Sequence, residues 1–124
     1  MKEDPPIASN EPLTCSVSQE PGYAVVSVVG EIDVSTEQQF RDGLTSVLSG
    51  GAVRVVVDLS GVTFMASAGI GVLMGVRRVL SQSGGQLALA SPLGEVAMVL
   101  SMTGVSSVIP VAASVPEAVA RLGA

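Results

Sequence analysis

The sequence predicts an α/β fold, a central sheet of about five strands packed with about four helices. Three observations carry this. Strand-length apolar runs alternate with segments of helical periodicity through most of the chain, and glycine pairs and Pro-Gly steps punctuate them. One run, Val55-Val56-Val57, is apolar without alternation, as expected of a strand covered on both faces.

Met1 to Pro12 carries Pro5, Pro6 and Pro12 among Glu3, Asp4 and Glu11, too little apolar material to offset its ordering entropy, so a flexible tail is expected there. The folded domain is expected over residues 13–124. Leu13 to Val17 alternates apolar and polar residues, and Pro21-Gly22 turns the chain into a second strand, Tyr23 to Val29. Ser35 with Gln38 three residues on forms a helix-start signal; Phe40, Leu44, Val47 and Leu48 follow at helical spacing until Gly50-Gly51. Val53 to Leu59 reads as a buried central strand, left by a loop over Gly61 to Ala66.

Helical spacing returns from Ser67 to about Ser81 with Ile70, Leu73, Met74 and Val76, and Arg77-Arg78 near its end suit the helix dipole. After Gly84-Gly85 comes a short strand, Gln86 to Ala90. Ser91-Pro92 then opens a third helix, with Leu93, Val96, Ala97 and Leu100 on one side and Gly104 at its end. Ser107 to Val111 is expected as the last strand, and Ser114 with Glu117 as a capping box for a terminal helix carrying Val115, Val119 and Leu122.

Composition bounds what such a domain can do. Of 124 residues 48% are hydrophobic, the mean hydropathy is +0.59, and the only aromatic residues are Tyr23, Phe40 and Phe64, so the core is aliphatic. The uncharged, mainly apolar stretch between Asp58 and Arg77 contains Ser60, Thr63 and Ser67 and falls short of the ~20 predominantly apolar residues of a membrane span. The opening Met-Lys-Glu-Asp-Pro-Pro lacks the apolar core of a secretory signal, and the lone Cys15 has no partner for an internal disulfide; a cytoplasmic protein is expected. Six basic against eleven acidic residues give a net charge of −5 without basic clusters, which argues against nucleic acid and anionic membranes as partners. With no histidine and one cysteine, no familiar metal site can be assembled, and no cofactor is expected.

The stretch from Val55 through Asp58, Ser67 and Gly71 to Leu73 runs strand to loop to helix and places Ser67 at a helix N-cap. A phosphate there would gain from the helix dipole and from free backbone N–H groups. A plain capping role explains the same placement. A serine on a strand–helix turn is also where a nucleophile elbow lies, but Met65 stands where that motif needs glycine, and the chain lacks the usual general base, histidine. Gly69, Gly71 and Gly75 do not have dinucleotide-fingerprint spacing, and the P-loop lysine is missing. In one helix they cost up to ~1 kcal/mol each relative to alanine, which suggests close backbone approach to the sheet, with a partner surface on the Gly71 and Gly75 face as the alternative.

Three segments together resemble the single-domain STAS proteins that act as anti-sigma-factor antagonists. Gly30-Glu31-Ile32-Asp33 is similar to the family's Gly-Glu-Leu/Ile-Asp signature, Asp58-Leu59-Ser60-Gly61-Val62-Thr63-Phe64-Met65 to its strand exit, and Ser67, Gly69 and Gly71 to its Asp-Ser-Ser/Thr-Gly-Leu/Ile-Gly turn. The resemblance runs from Leu13 to about Leu122 and implies a STAS-type fold with a mixed central sheet. It implies a non-enzymatic regulator, monomeric or weakly dimeric, whose partner is an anti-sigma serine kinase. Phosphorylation of Ser67 would be the off switch, and Glu31, Asp33, Ala66, Ser67, Ala68, Gly69 and Gly71 would form the partner surface. The sequence departs from the pattern at Ala66, where the family usually has Asp, and at Ala68, where a second Ser or Thr is frequent. These alanines favour an alternative role as a non-phosphorylated STAS scaffold or subunit, in a stressosome or a lipid-transport assembly.

Overall fold

The computed structural model describes residues 12–122. Five strands, β1 (Leu13–Glu20), β2 (Tyr23–Ile32), β3 (Arg54–Met65), β4 (Gln86–Ala90) and β5 (Val111–Ala112), form one sheet in sequence order. Only the β1–β2 pair is antiparallel, and β2 to β5 are parallel to one another, which makes the sheet mixed as expected. Four α-helices complete the domain: α1 (Glu37–Ser49), α2 (Ser67–Gln82), α3 (Gly94–Met102) and α4 (Val115–Ala120). The tail expected over Met1–Pro12 lies outside the described residues except for Pro12.

The uninterrupted valine run is explained by two cores. Val55, Val57 and Leu59 face a large cluster built with Phe40, Leu44 and Val47 of α1, Val72, Leu73, Val76 and Leu80 of α2, and Val96 and Leu100 of α3. Val56, between them, faces the opposite side, where Ala88, Ala90 and Ala112 let the short α4 approach through Ala118. Alternate side chains of a strand point to opposite faces, so a strand buried on both reads as continuously apolar.

Several boundaries differ from expectation. β1 runs on past Val17 to Glu20 and β2 past Val29 to Ile32, and Gly61 to Met65, expected as loop, is the second half of β3. The cause is pairing: β2 stays alongside β3 through two register shifts and supplies partners as far as Ile32↔Met65. Ser107 to Val111 is not a strand. Val105–Ser107 is a 3₁₀ turn, and β5 is two residues long because only Val111 and Ala112 lie opposite β4. The third helix begins at Gly94 rather than Ser91-Pro92, and Leu93 and Ala97 are exposed while Val96 and Leu100 are buried. Arg77 and Arg78 precede the last turn of α2; Arg77 Nε instead donates to the Val108 carbonyl at 3.1 Å, tying α2 to the segment before β5. The terminal capping box is present, with Ser114 Oγ accepting from the Glu117 amide at 3.2 Å.

Candidate functional site

Parallel pairing brings the ends of β2 and β3 together, and with them the two segments that the sequence singles out. Ile32 lies opposite Met65, and the Ala66 amide donates to the Ile32 carbonyl at 2.8 Å. The Gly30–Asp33 segment therefore flanks the turn that starts α2.

Gly30 is required where it stands. Its φ is +127°, and a Cβ there would sit 2.1 Å from the Pro12 carbonyl oxygen, so no side chain fits. Beyond it the chain turns into α1 through a network centred on Asp33 and Thr36. The Asp33 carboxylate accepts from Ser35 Oγ at 2.7 Å and from the amides of Ser35 and Thr36 at 2.9 and 3.1 Å. These bonds, with that from Ser35 Oγ foremost, hold the carboxyl below its ordinary pKa against the opposing effect of desolvation. Thr36 is buried; its hydroxyl donates to the Glu31 carbonyl at 2.7 Å and accepts from the Asp33 amide at 2.9 Å. Thr36, and not Ser35 with Gln38, takes the N-cap position, but its side chain makes no bond to the helix amides: its hydroxyl is turned to the preceding strand end. Nothing in the local pattern marks Thr36 over Ser35.

On the other side of the site, Ala66 is the N-cap of α2, with extended backbone and no side-chain cap, and Ser67 is the first helical residue. The expected capping role of Ser67 is therefore not observed. Ser67 is exposed at N1, where the first amides of a helix have no intrahelical acceptors. Gly69 is buried: a Cβ would meet Ile32 Cγ2 at 2.6 Å and Met65 Cγ at 3.1 Å, so close approach to the sheet explains this glycine. It does not explain Gly71 and Gly75, which are exposed with nothing near an added Cβ.

Of the expected surface residues, Glu31, Ser67 and Gly71 are exposed, Asp33, Ala66 and Ala68 partly exposed, and Gly69 inaccessible. Two residues of this region escaped the sequence reading. Val34, in the turn between Asp33 and Thr36, is 81% exposed, and Phe64, opposite Glu31 in the β2–β3 register, is 43% exposed. An apolar residue held in a polar Asp-Val-Ser-Thr turn was the available signal. Among the described residues no cluster of side chains could hold a metal ion, and no helix is long and apolar enough to cross a membrane.

A family profile described as the STAS domain matches residues 15–118. The anti-sigma-F factor antagonist RsfB of Mycobacterium tuberculosis is 30% identical over 77 residues, 62% of this chain; the match spans 63% of that relative's length. An anti-sigma F factor antagonist of Paenibacillus polymyxa is 28% identical over 91 residues, 73% of this chain and 78% of that one. The crystal structure of an anti-sigma factor antagonist from Mycobacterium paratuberculosis superposes with a TM-score of 0.81 at 26% identity, covering 89% of this chain and 93% of the other.

Proposed function

Since this chain belongs to the STAS domain family, we propose that it is an anti-sigma-factor antagonist, a cytoplasmic, non-enzymatic regulator whose domain, residues 13–124, captures an anti-sigma serine kinase and so frees sigma factor. Phosphorylation of Ser67 is the off switch.

The observation that carries this reading is the exposed Ser67 at the first position of α2, flanked by the acidic strand end of β2 through the Ala66–Ile32 hydrogen bond. An unmodified hydroxyl leaves the surface neutral at that point. A phosphate adds about −1.5 to −2 charges at a position the helix dipole favours, and so changes what the surface can recognise. Val34 and Phe64 add apolar contact area, and Asp33 fixes the turn that presents Val34. The anti-sigma factor antagonists among the relatives support the role, and the resemblance of the Ser67, Gly69 and Gly71 turn to the family's serine motif supports the switch.

The test is calorimetric titration with the anti-sigma kinase recovered from the native host. Ser67→Glu and Val34→Ser are each expected to weaken binding at least about tenfold, ~1.4 kcal/mol. Binding unchanged within about threefold in both, ~0.7 kcal/mol, sinks the surface assignment. Ala66, which offers no side-chain cap or carboxylate beside Ser67, favours the second reading, a scaffold or subunit that is never phosphorylated. Mass spectrometry after incubation with kinase and ATP separates the two: phosphate on Ser67 supports the switch, and an unmodified chain recovered in a large assembly supports the scaffold.

A further inference from the structure

The two edges of the sheet are unequal. β5 is two residues long, whereas β1 presents eight residues paired with β2 in an uninterrupted antiparallel register. Long edges normally carry protection in the form of lysines, prolines, bulges or inward-pointing charges. β1, Leu-Thr-Cys-Ser-Val-Ser-Gln-Glu, has none of these within it; its one charge is the terminal Glu20.

The register identifies which backbone groups face outward. The Glu31 amide donates to the Pro12 carbonyl at 3.3 Å, and this pair continues the register Leu13↔Gly30. Bonded and non-bonded pairs alternate along an antiparallel ladder. Thr14, Ser16 and Ser18 therefore bond to β2, while Leu13, Cys15, Val17 and Gln19 direct their N–H and C=O groups away from it. Among the described residues no backbone partner reaches these groups. Val17, at the middle of the row, also leaves 42% of its surface exposed.

We propose that a second copy of this chain pairs antiparallel along β1, with the two-fold axis at Ser16, joining two sheets into one. A second copy suits this edge better than an unrelated strand because the edge is self-complementary in that register. Leu13 then faces Gln19 and Cys15 faces Val17, so every outward N–H of one copy meets an outward C=O of the other. Moving the axis by two residues leaves outward groups unpaired at the ends. On the intervening positions Thr14 faces Ser18 and Ser16 faces Ser16, pairs that favour sheet pairing, and Glu20 faces Pro12, so two chains of net charge −5 bring no like charges directly opposite. This dimer is independent of the partner-switch reading.

The experiment uses cysteine placement in a Cys15→Ser background. Ser16 faces itself in a non-bonded pair, with Cα atoms about 4.5 Å apart, within the ~4.4 to 6.8 Å span of a disulfide. Ser16→Cys is expected to oxidise to a covalent dimer about tenfold faster or more than Ser18→Cys, which is exposed on the same face but lies opposite Thr14. Wild type is expected to show a concentration-dependent dimer in sedimentation. Val17→Pro or Gln19→Pro, each removing one outward N–H that the fold does not use, is expected to abolish it with the circular dichroism unchanged. Equal cross-linking at positions 16 and 18, a monomer at every concentration, or a dimer that survives both proline variants would overturn the proposal; should the prolines unfold the chain, the comparison of positions 16 and 18 decides alone.

Discussion

Gly69 of α2 lies against Ile32 of β2 so closely that a single added methyl would stand 2.6 Å from Ile32 Cγ2. This contact seats the start of α2 on the strand end that carries Glu31 and Asp33, and it sets Gly69 apart from the two other glycines of the same helix.

Gly69→Ala should therefore destabilise the domain by ~1 to 3 kcal/mol through overpacking, because Ile32 is β-branched and cannot swing aside. Gly71→Ala, with open space around it, should stabilise by up to ~1 kcal/mol through helix propensity. Urea unfolding of the two variants checks this, and two shifts of the same sign would contradict the packing argument. If Gly71→Ala gains stability yet loses kinase affinity, the exposed glycine serves a partner.

Thr36→Val keeps the shape of the side chain and removes its hydroxyl. The Glu31 carbonyl and the Asp33 amide, both bonded to that hydroxyl, lose their partner, at an expected cost of ~1 to 3 kcal/mol in chemical denaturation. Thr36→Ser should recover most of it.

Asp33 has a folded-state pKa below its unfolded value, so the stability that its charge contributes is present above the unfolded value of about 3.9 and is lost as pH falls through the folded pKa. Asp33→Asn retains an acceptor but not the charge. Wild type should be the more stable at neutral pH, with the two converging in acid well below pH 3.9. A difference that stays constant from neutral pH into strong acid would show that the charge of Asp33 is not what supports this turn.

Ala66→Asp installs a side-chain acceptor at the N-cap of α2 and should add ~0.5 to 2 kcal/mol of stability. It also places a carboxylate beside Ser67. General-base assistance is worth ~10² to 10⁴ in rate, so the variant should be phosphorylated faster than wild type by the same kinase. Intact-mass time courses give the rates. Wild-type phosphorylation as fast as that of Ala66→Asp would mean that the kinase supplies its own base.

By itself the sequence determined the order of the strands and α-helices, the doubly buried strand around Val56, the helix stripe of Phe40, Leu44 and Val47, and the placing of Ser67 at a helix start. These are local properties: periodicity reports which sides of an element are covered, and turn residues report where the chain must bend. Tertiary structure decided where elements end and which small residues matter. β3 continues through Gly61–Met65 because β2, far earlier in the chain, offers it partners. Thr36 takes the N-cap position of α1 with its hydroxyl turned to the Glu31 carbonyl, Ser67 is not a cap because Ala66 is held by Ile32, and Gly69 is packed while Gly71 is open because only one of them faces β2. Each of these depends on an atom supplied by a distant segment, and no pattern within the element itself encodes that atom.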